Sequence, residues 1–227
     1  GLVNAPTGSG KTYSLMMPVV LEFLKLHPTA HARKKAGLQA LWITPIRALS
    51  KEIELSARRL IESLDIDMTV GVRSGDTSLK ERMRQKARPP HLLITTPESL
   101  DLLLAQKSYS ELFKDLKVLI ADEWHELMGS KRGVQVELAL SRLKAIAPEL
   151  KVWGISATIG NMEEALEALL GNYYQRRNYK VIRADIKKEV EIISVLPDSL
   201  ERMPWAGHLG IQLLDKRGEI VKKRKST

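Results

Sequence analysis

Short apolar runs alternate along the chain with longer segments whose apolar residues recur every three or four positions. Residues 38–44 (LQALWIT) read as a buried strand. Ile53, Ala57, Leu60, Ile61 and Leu64 then fall on one face of a helix. Residues 68–73 predict a second strand, and 78–87 a charged helix. Residues 91–95 (HLLIT) predict a third strand, after which Pro97 opens a helix over 98–105. Residues 116–122 (LKVLIAD) carry the strongest strand pattern, followed by a helical stripe of Val136, Leu140, Leu143 and Ala147. A strand over 151–156 and a helix over 162–170 continue the rhythm. This β-α alternation predicts an α/β fold with a mostly parallel sheet and helices on both faces. In such sheets ligands bind beyond the carboxyl ends of the strands, so the strand-end loops are expected to carry the chemistry.

The pattern changes after about residue 175. Residues 180–184 and 190–196 read as short edge strands, 197–210 as a turn-rich connector, and 216–227 as a basic tail without a core pattern. The expected division is therefore an α/β domain over 1–185 and a connector with its tail over 186–227.

Composition narrows the field. At 227 residues, 44% of them hydrophobic, the chain can bury one sizeable core. It has no cysteine, which excludes disulfides and thiolate metal sites and fits a reducing compartment; a cytoplasmic location is expected. The most apolar stretch, 15–26, is broken by Pro18, Glu22 and Lys25, so no membrane span is expected. A net charge of +9 favours polyanionic partners without by itself deciding for nucleic acid.

Two motifs carry the chemistry. The run Ala5-Pro6-Thr7-Gly8-Ser9-Gly10-Lys11-Thr12 is a P-loop with alanine in place of the usual first glycine. Its glycines let backbone N–H groups converge on phosphate oxygens, and the following helix adds its positive end. Lys11 can reach the β- and γ-phosphates of ATP, and the Thr12 hydroxyl can ligate Mg²⁺. A P-loop needs a second metal contact, and Asp122-Glu123 ends the apolar run 118–121. Asp122 is placed to hold Mg²⁺, and Glu123 to orient and deprotonate the attacking water.

At Asp122-Glu123-Trp124-His125 the sequence resembles the DExH-box helicases of superfamily two, and the match continues along nearly the whole chain. Thr44-Pro45-Ile46-Arg47-Ala48-Leu49 resembles motif Ia, Thr95-Thr96-Pro97-Glu98 motif Ib, and Ser156-Ala157-Thr158 motif III. Ser74-Gly75-Asp76 lies where the family has a further nucleic-acid contact. Residues 122–140 and 204–210 are similar to the Lhr, or large helicase-related, group. The resemblance implies a RecA-like P-loop domain of an ATP- and Mg²⁺-dependent enzyme that moves 3′ to 5′ on single-stranded DNA in repair. RNA or a DNA/RNA hybrid is the alternative strand, and some members are described as ligase-associated. It also implies nucleic-acid contacts at Pro45, Arg47, Gly75, Asp76, Thr96, Pro97 and Glu98, a bridge from ATP through His125, and coupling through Ser156 and Thr158. A second RecA-like domain carrying an arginine finger is expected on further sequence, and an adenine-recognising element upstream.

Each position also has a plainer reading. Arg47 can be a surface arginine, Thr96 and Glu98 can cap the next helix, and Ser156 and Thr158 can be turn residues. An ATP-switched nucleic-acid-binding module without strand separation is the alternative function. His27 and His31 are four apart, but Pro28 intervenes and no acidic helper follows, so no zinc site is expected. Trp42, Trp124 and Trp153 read as packing residues.

Overall fold

The structure is a computed structural model that describes residues 1–176 and 178–184. The expected strand at 190–196, the connector, the basic tail and the 204–210 segment lie outside the described residues. In chain order the elements are β1 (Leu2–Asn4), α1 (Lys11–Leu26), α2 (Ala30–Lys35), β2 (Ala40–Ile43), α3 (Arg47–Ser63), β3 (Val70–Arg73), α4 (Leu79–Ala87), β4 (Leu92–Thr95) and α5 (Pro97–Leu104). They continue with α6 (Tyr109–Phe113), β5 (Val118–Ala121), α7 (Trp124–Leu127), α8 (Lys131–Ile146), β6 (Lys151–Ser156), α9 (Met162–Leu170), a 3₁₀ segment (Gly171–Arg176) and β7 (Val181–Arg183).

The strands form one sheet in the order β3-β4-β2-β5-β6-β1-β7, with every described pairing parallel. Alternation along each strand builds two cores. Ala40 and Trp42 of β2, Ile120 of β5 and Val3 of β1 pack with α1 and α3 through Met16, Val20, Ile53 and Ala57. Leu41 and Ile43 of β2, Leu119 of β5 and Leu2 of β1 pack with α5, α8 and α9 through Leu100, Leu140 and Leu166. Burial on both faces explains why the strands read as continuous apolar runs rather than as alternating patterns.

The elements follow the sequence pattern closely. The strand at 151–156 and the helix at 162–170 occur with those bounds. Ser78 caps α4 instead of lying inside it, and Thr96 caps α5, the plainer of its two readings. One position departs from the expected stripe. Leu64 is the C-cap of α3 and is 43% exposed, because the helix ends before its side chain can turn toward the core. Three short helices escaped the periodicity. α2 has no buried residue and is started by Thr29, whose hydroxyl accepts from Ala32 N–H. α6 and α7 are too short to show a repeat.

Register then places the loops. Ile43 pairs with Thr95 on one side and with Ala121 on the other, Ala121 pairs with Gly154, and Asn4 with Ser156. The carboxyl ends of five strands therefore open along one edge of the sheet. The P-loop after β1, the acid pair after β5 and Ser156 at the end of β6 share one half of that edge. The loops after β2, β3 and β4 share the other.

Candidate nucleotide and nucleic-acid site

The P-loop gets its shape from two glycines with positive φ, Gly8 at 73° and Gly10 at 84°. These are backbone states that side chains with a Cβ adopt only at a cost. Gly10 is the N-cap of α1 and offers no side-chain cap, so the first turn's N–H groups are left for an anion. Thr7, Ser9 and Thr12 line the same turn. Lys11 Nζ and Ser9 Oγ are buried and make no hydrogen bond within the described residues. A buried ammonium and hydroxyl at the mouth of a phosphate-shaped loop fit the oxygens of a nucleotide's phosphates.

Asp122 is the first residue after β5, 7% exposed, and its N–H bonds to the Ile43 carbonyl at 2.8 Å. Burial pushes its carboxyl above the ordinary aspartate range, partly opposed by a hydrogen bond from Trp42. The Trp42 indole N–H donates to Asp122 Oδ2 at 3.1 Å, and the Glu123 N–H donates to Oδ1 at 2.9 Å. Each oxygen keeps lone-pair capacity beyond its one donor, so the carboxylate is both fixed and able to accept a cation's water. Trp42 thus does more than pack. Sequence reading missed this role, because an indole in a core strand gives no sign of where its N–H points.

Glu123 sits in the left-handed region, φ 45° and ψ 48°. For a non-glycine residue this is a strained state of the kind kept at functional positions. It aims the side chain back over the P-loop. Glu123 Oε1 is 3.8 Å from Lys11 Nζ, and Oε2 is 3.4 Å from His125 Nδ1. His125 Nδ1 lies 2.8 Å from Ser156 Oγ, and the Ser156 hydroxyl donates to the Thr158 carbonyl at 3.1 Å. With the hydroxyl's one proton so used, Nδ1 is the donor to Ser156 Oγ, an assignment drawn from the network. Lys11, Glu123, His125, Ser156 and Thr158 therefore form one chain across three strand ends. The Thr158 side chain itself is exposed, and its carbonyl makes the link.

On the other half of the edge, Arg47 is the first residue of α3, and Ile46 before it provides no side-chain cap. Arg47 Nη1 contacts Asp76 at 3.1 and 3.4 Å, both groups largely exposed. A Cβ on Gly75 would stand 3.0 Å from the same guanidinium. Arg82 holds the 74–77 loop by donating to the carbonyls of Ser74, Gly75 and Thr77. Asp76 therefore faces Arg47. Thr96 is 3% exposed and accepts from Ser99 N–H as the cap of α5, with Pro97 buried behind it. Glu98, in the first turn of α5, pairs with Arg132 at 2.6 Å. Burial pushes the Glu98 carboxyl up, but its own N–H, the Thr96 hydroxyl and Arg132 together hold it below the usual glutamate range. Arg132 was not singled out from the sequence; it lies in the 122–140 segment, with no periodicity of its own. Among the described residues no group of three or more histidines and acids could hold a metal, and no helix is long and apolar enough to cross a membrane.

A parallel sheet with a P-loop after its first strand and an acid pair after its fifth has the architecture of the RecA-like domains of helicases. The chain belongs to the DEAD/DEAH box helicase family, whose model matches residues 2–166. It is 34% identical over 206 residues to the ATP-dependent helicase Lhr-Core of Methanothermobacter thermautotrophicus, covering 86% of this chain and 24% of that protein. It is 32% identical to the Lhr helicase/uracil glycosylase of Escherichia coli, over 86% of this chain and 13% of the relative. The solved Mycobacterium smegmatis helicase Lhr bound to ssDNA and AMP-PNP superposes with a TM-score of 0.68 at 32% identity, over 82% of this chain and 24% of that one. The chain spans about a quarter or less of the length of these relatives.

Proposed function

We propose that this chain is the first RecA-like, ATP-binding domain of an Lhr-type ATP-dependent helicase. In this reading residues 1–185 form the domain, and 186–227 lead toward a second RecA-like domain. Hydrolysis is coupled to single-stranded nucleic acid, by resemblance DNA, travelled 3′ to 5′ in repair. The observation that carries the reading is the chain from Lys11 through Glu123 and His125 to Ser156. The solved relative bound to ssDNA and AMP-PNP supports the pairing of a nucleotide with a strand.

The residues divide the work. Thr7, Gly8, Ser9 and Gly10 cradle the phosphates through backbone N–H groups, and Lys11 neutralises the β- and γ-oxygens. Thr12 and Asp122 would hold Mg²⁺, which when bound offsets the charge that develops on the phosphates. Glu123 accepts a proton from the water that attacks the γ-phosphorus, as the bond to the ADP oxygen breaks. His125 senses this carboxylate directly and passes its position to Ser156 and Thr158. Pro45, Arg47, Gly75, Thr96, Pro97 and Glu98 shape the strand-facing half, with Asp76 orienting Arg47. Contacts there go mainly to the sugar-phosphate backbone, so base preference is weak.

The test is the ATPase rate with and without single-stranded DNA, in wild type and Glu123→Gln. Stimulation by DNA is expected, with a loss of about 10²–10⁴-fold in turnover in the variant and retained ATP binding. Full turnover in Glu123→Gln, or indifference to DNA, would sink the reading. An arginine from the second domain is worth about 10³–10⁵ in related hydrolases, so these 227 residues alone are expected to turn over slowly and not to unwind duplex.

A further inference from the structure

On the nucleic-acid half of the sheet edge, the loops after β2 and β4 are joined by a side chain outside both motif sets. Arg132 lies in the first turn of α8, and its guanidinium forks. Nε donates to Glu98 Oε1 at 2.6 Å, and Nη1 donates to the Pro45 carbonyl at 3.3 Å. One cation thus pins the loop after β2, two residues before Arg47, to the first turn of α5. The planar guanidinium suits this double contact, since its N–H groups are held in a fixed fork.

The other end of the connection is equally defined. α7 begins at Trp124, directly after Glu123, and carries His125. It meets α8 through a tight turn. The Ser130 hydroxyl donates to the Leu127 carbonyl at 2.6 Å and accepts from the Gly133 N–H at 3.2 Å. Gly129 in that turn has φ 69°. A Cβ on Gly133 would run into the Leu127 carbonyl oxygen, so the end of α7 and the start of α8 are in direct backbone contact. The Trp124 indole N–H donates to the Ala165 carbonyl at 2.9 Å, which fixes the start of α7 against α9. Glu123 and His125 are therefore connected to the first turn of α8 through α7 and a turn closed by contacts to the backbone. α5 and α8 are further joined by Gln135 to Asp101 at 2.7 Å and by Arg142 to the Leu104 carbonyl at 2.9 Å.

We infer that Arg132 is the positioning residue that couples the nucleotide state at Glu123 and His125 to the placement of the Pro45–Arg47 and Thr96–Glu98 loops on the nucleic-acid strand. It touches neither the reacting atoms nor, in this role, the strand. Its effect runs through Pro45 and Glu98, which it holds in common register. The inference rests on the proposed function and adds to it a specific mechanical link.

The experiment uses the intact protein that carries this domain. ATP turnover is measured against oligo-dT concentration and against ATP concentration in wild type, Arg132→Gln and Arg132→Lys, with thermal melting of each. In Arg132→Gln the oligo-dT concentration for half-maximal stimulation is expected to rise at least fivefold, and maximal stimulation to fall, while KM for ATP moves less than twofold. Lysine can reach one partner but not both, so Arg132→Lys is expected to fall between wild type and Arg132→Gln. Unchanged stimulation in Arg132→Gln would overturn the inference. So would a loss that tracks the melting temperature or KM for ATP, since that marks a purely structural arginine. If wild type itself is not stimulated by oligo-dT, the proposed function fails and takes this inference with it. Failure of Arg132 alone leaves wild-type stimulation intact, so the two failures are distinguishable.

Discussion

Asp122 shows how much one residue's chemistry depends on its immediate neighbours. A strand-end aspartate in water would ionise at its ordinary value, yet burial here pushes it up, and the Trp42 indole is the first group that opposes the shift. Removing that donor leaves a buried oxygen without its partner, which costs about 1–3 kcal/mol. Trp42→Phe is therefore expected to lower stability by about that amount in urea titrations. It is also expected to raise the Mg²⁺ concentration needed for half-maximal ATPase, because the carboxylate loses the donor that holds its orientation. The acid pair was legible in the sequence because apolar runs that end in two carboxylates are distinctive beside a P-loop. The indole was not, since its donor direction is set by the pairing of β2 with β5, far apart in sequence. The left-handed backbone of Glu123 was equally hidden, because glutamate carries no sequence sign of positive φ.

Elements matter here through their junctions. α7 has only four residues and α8 has 16, and the turn between them sets the geometry of the DExH segment. Gly133 is the residue that permits the close approach. Gly133→Ala forces either α7 or the first turn of α8 to move, an overpacking cost of about 1–3 kcal/mol. The expected outcome is a lowered midpoint in chemical denaturation together with reduced DNA-stimulated ATPase. An unchanged midpoint would show that the junction yields easily. Long elements were readable from periodicity alone, and β6 and α9 occur with the expected bounds. The short helices were not, because one turn contains too few positions to establish a repeat. Thr96 illustrates a position with two readings. Its capping of α5 is observed, and the nucleic-acid contact proposed for this loop would fall to the backbone around it.

For the whole molecule, charge and burial act in measurable ways. With a net charge of +9, and with Arg47 exposed beside the strand-end loops, DNA affinity is expected to fall steeply and linearly in a plot of log affinity against log salt. Binding that ignores salt would contradict the phosphate-tracking model. Stability should depend on His91, 5% exposed between β3 and β4, whose Nδ1 accepts from the Thr69 N–H at 3.0 Å. Burial holds its pKa below the usual histidine range. Above about pH 6.5 both folded and unfolded states carry it neutral, and its contribution is complete. As pH falls below that value the unfolded state takes the proton first, so stability declines until the lower folded-state value is passed. The melting temperature of wild type is expected to drop more between pH 7.5 and 5.5 than that of His91→Asn. Equal drops would remove His91 from the account.

The sequence by itself determined the class of the fold, the phosphate loop and the acid pair. Each rests on local requirements: apolar runs of strand length, glycines where φ must be positive, and carboxylates at the end of a buried run. Tertiary structure alone decided which of these groups meet. The register of β1, β5 and β6 brings Lys11, Glu123, His125 and Ser156 into one chain. The pairing of β2 and β5 gives Asp122 its indole donor. The packing of α5 on α8 brings Arg132 to Pro45 and Glu98, residues 87 and 34 positions away. Such contacts come from long-range packing, where many weak apolar terms select one register, and no short stretch of the chain encodes that choice.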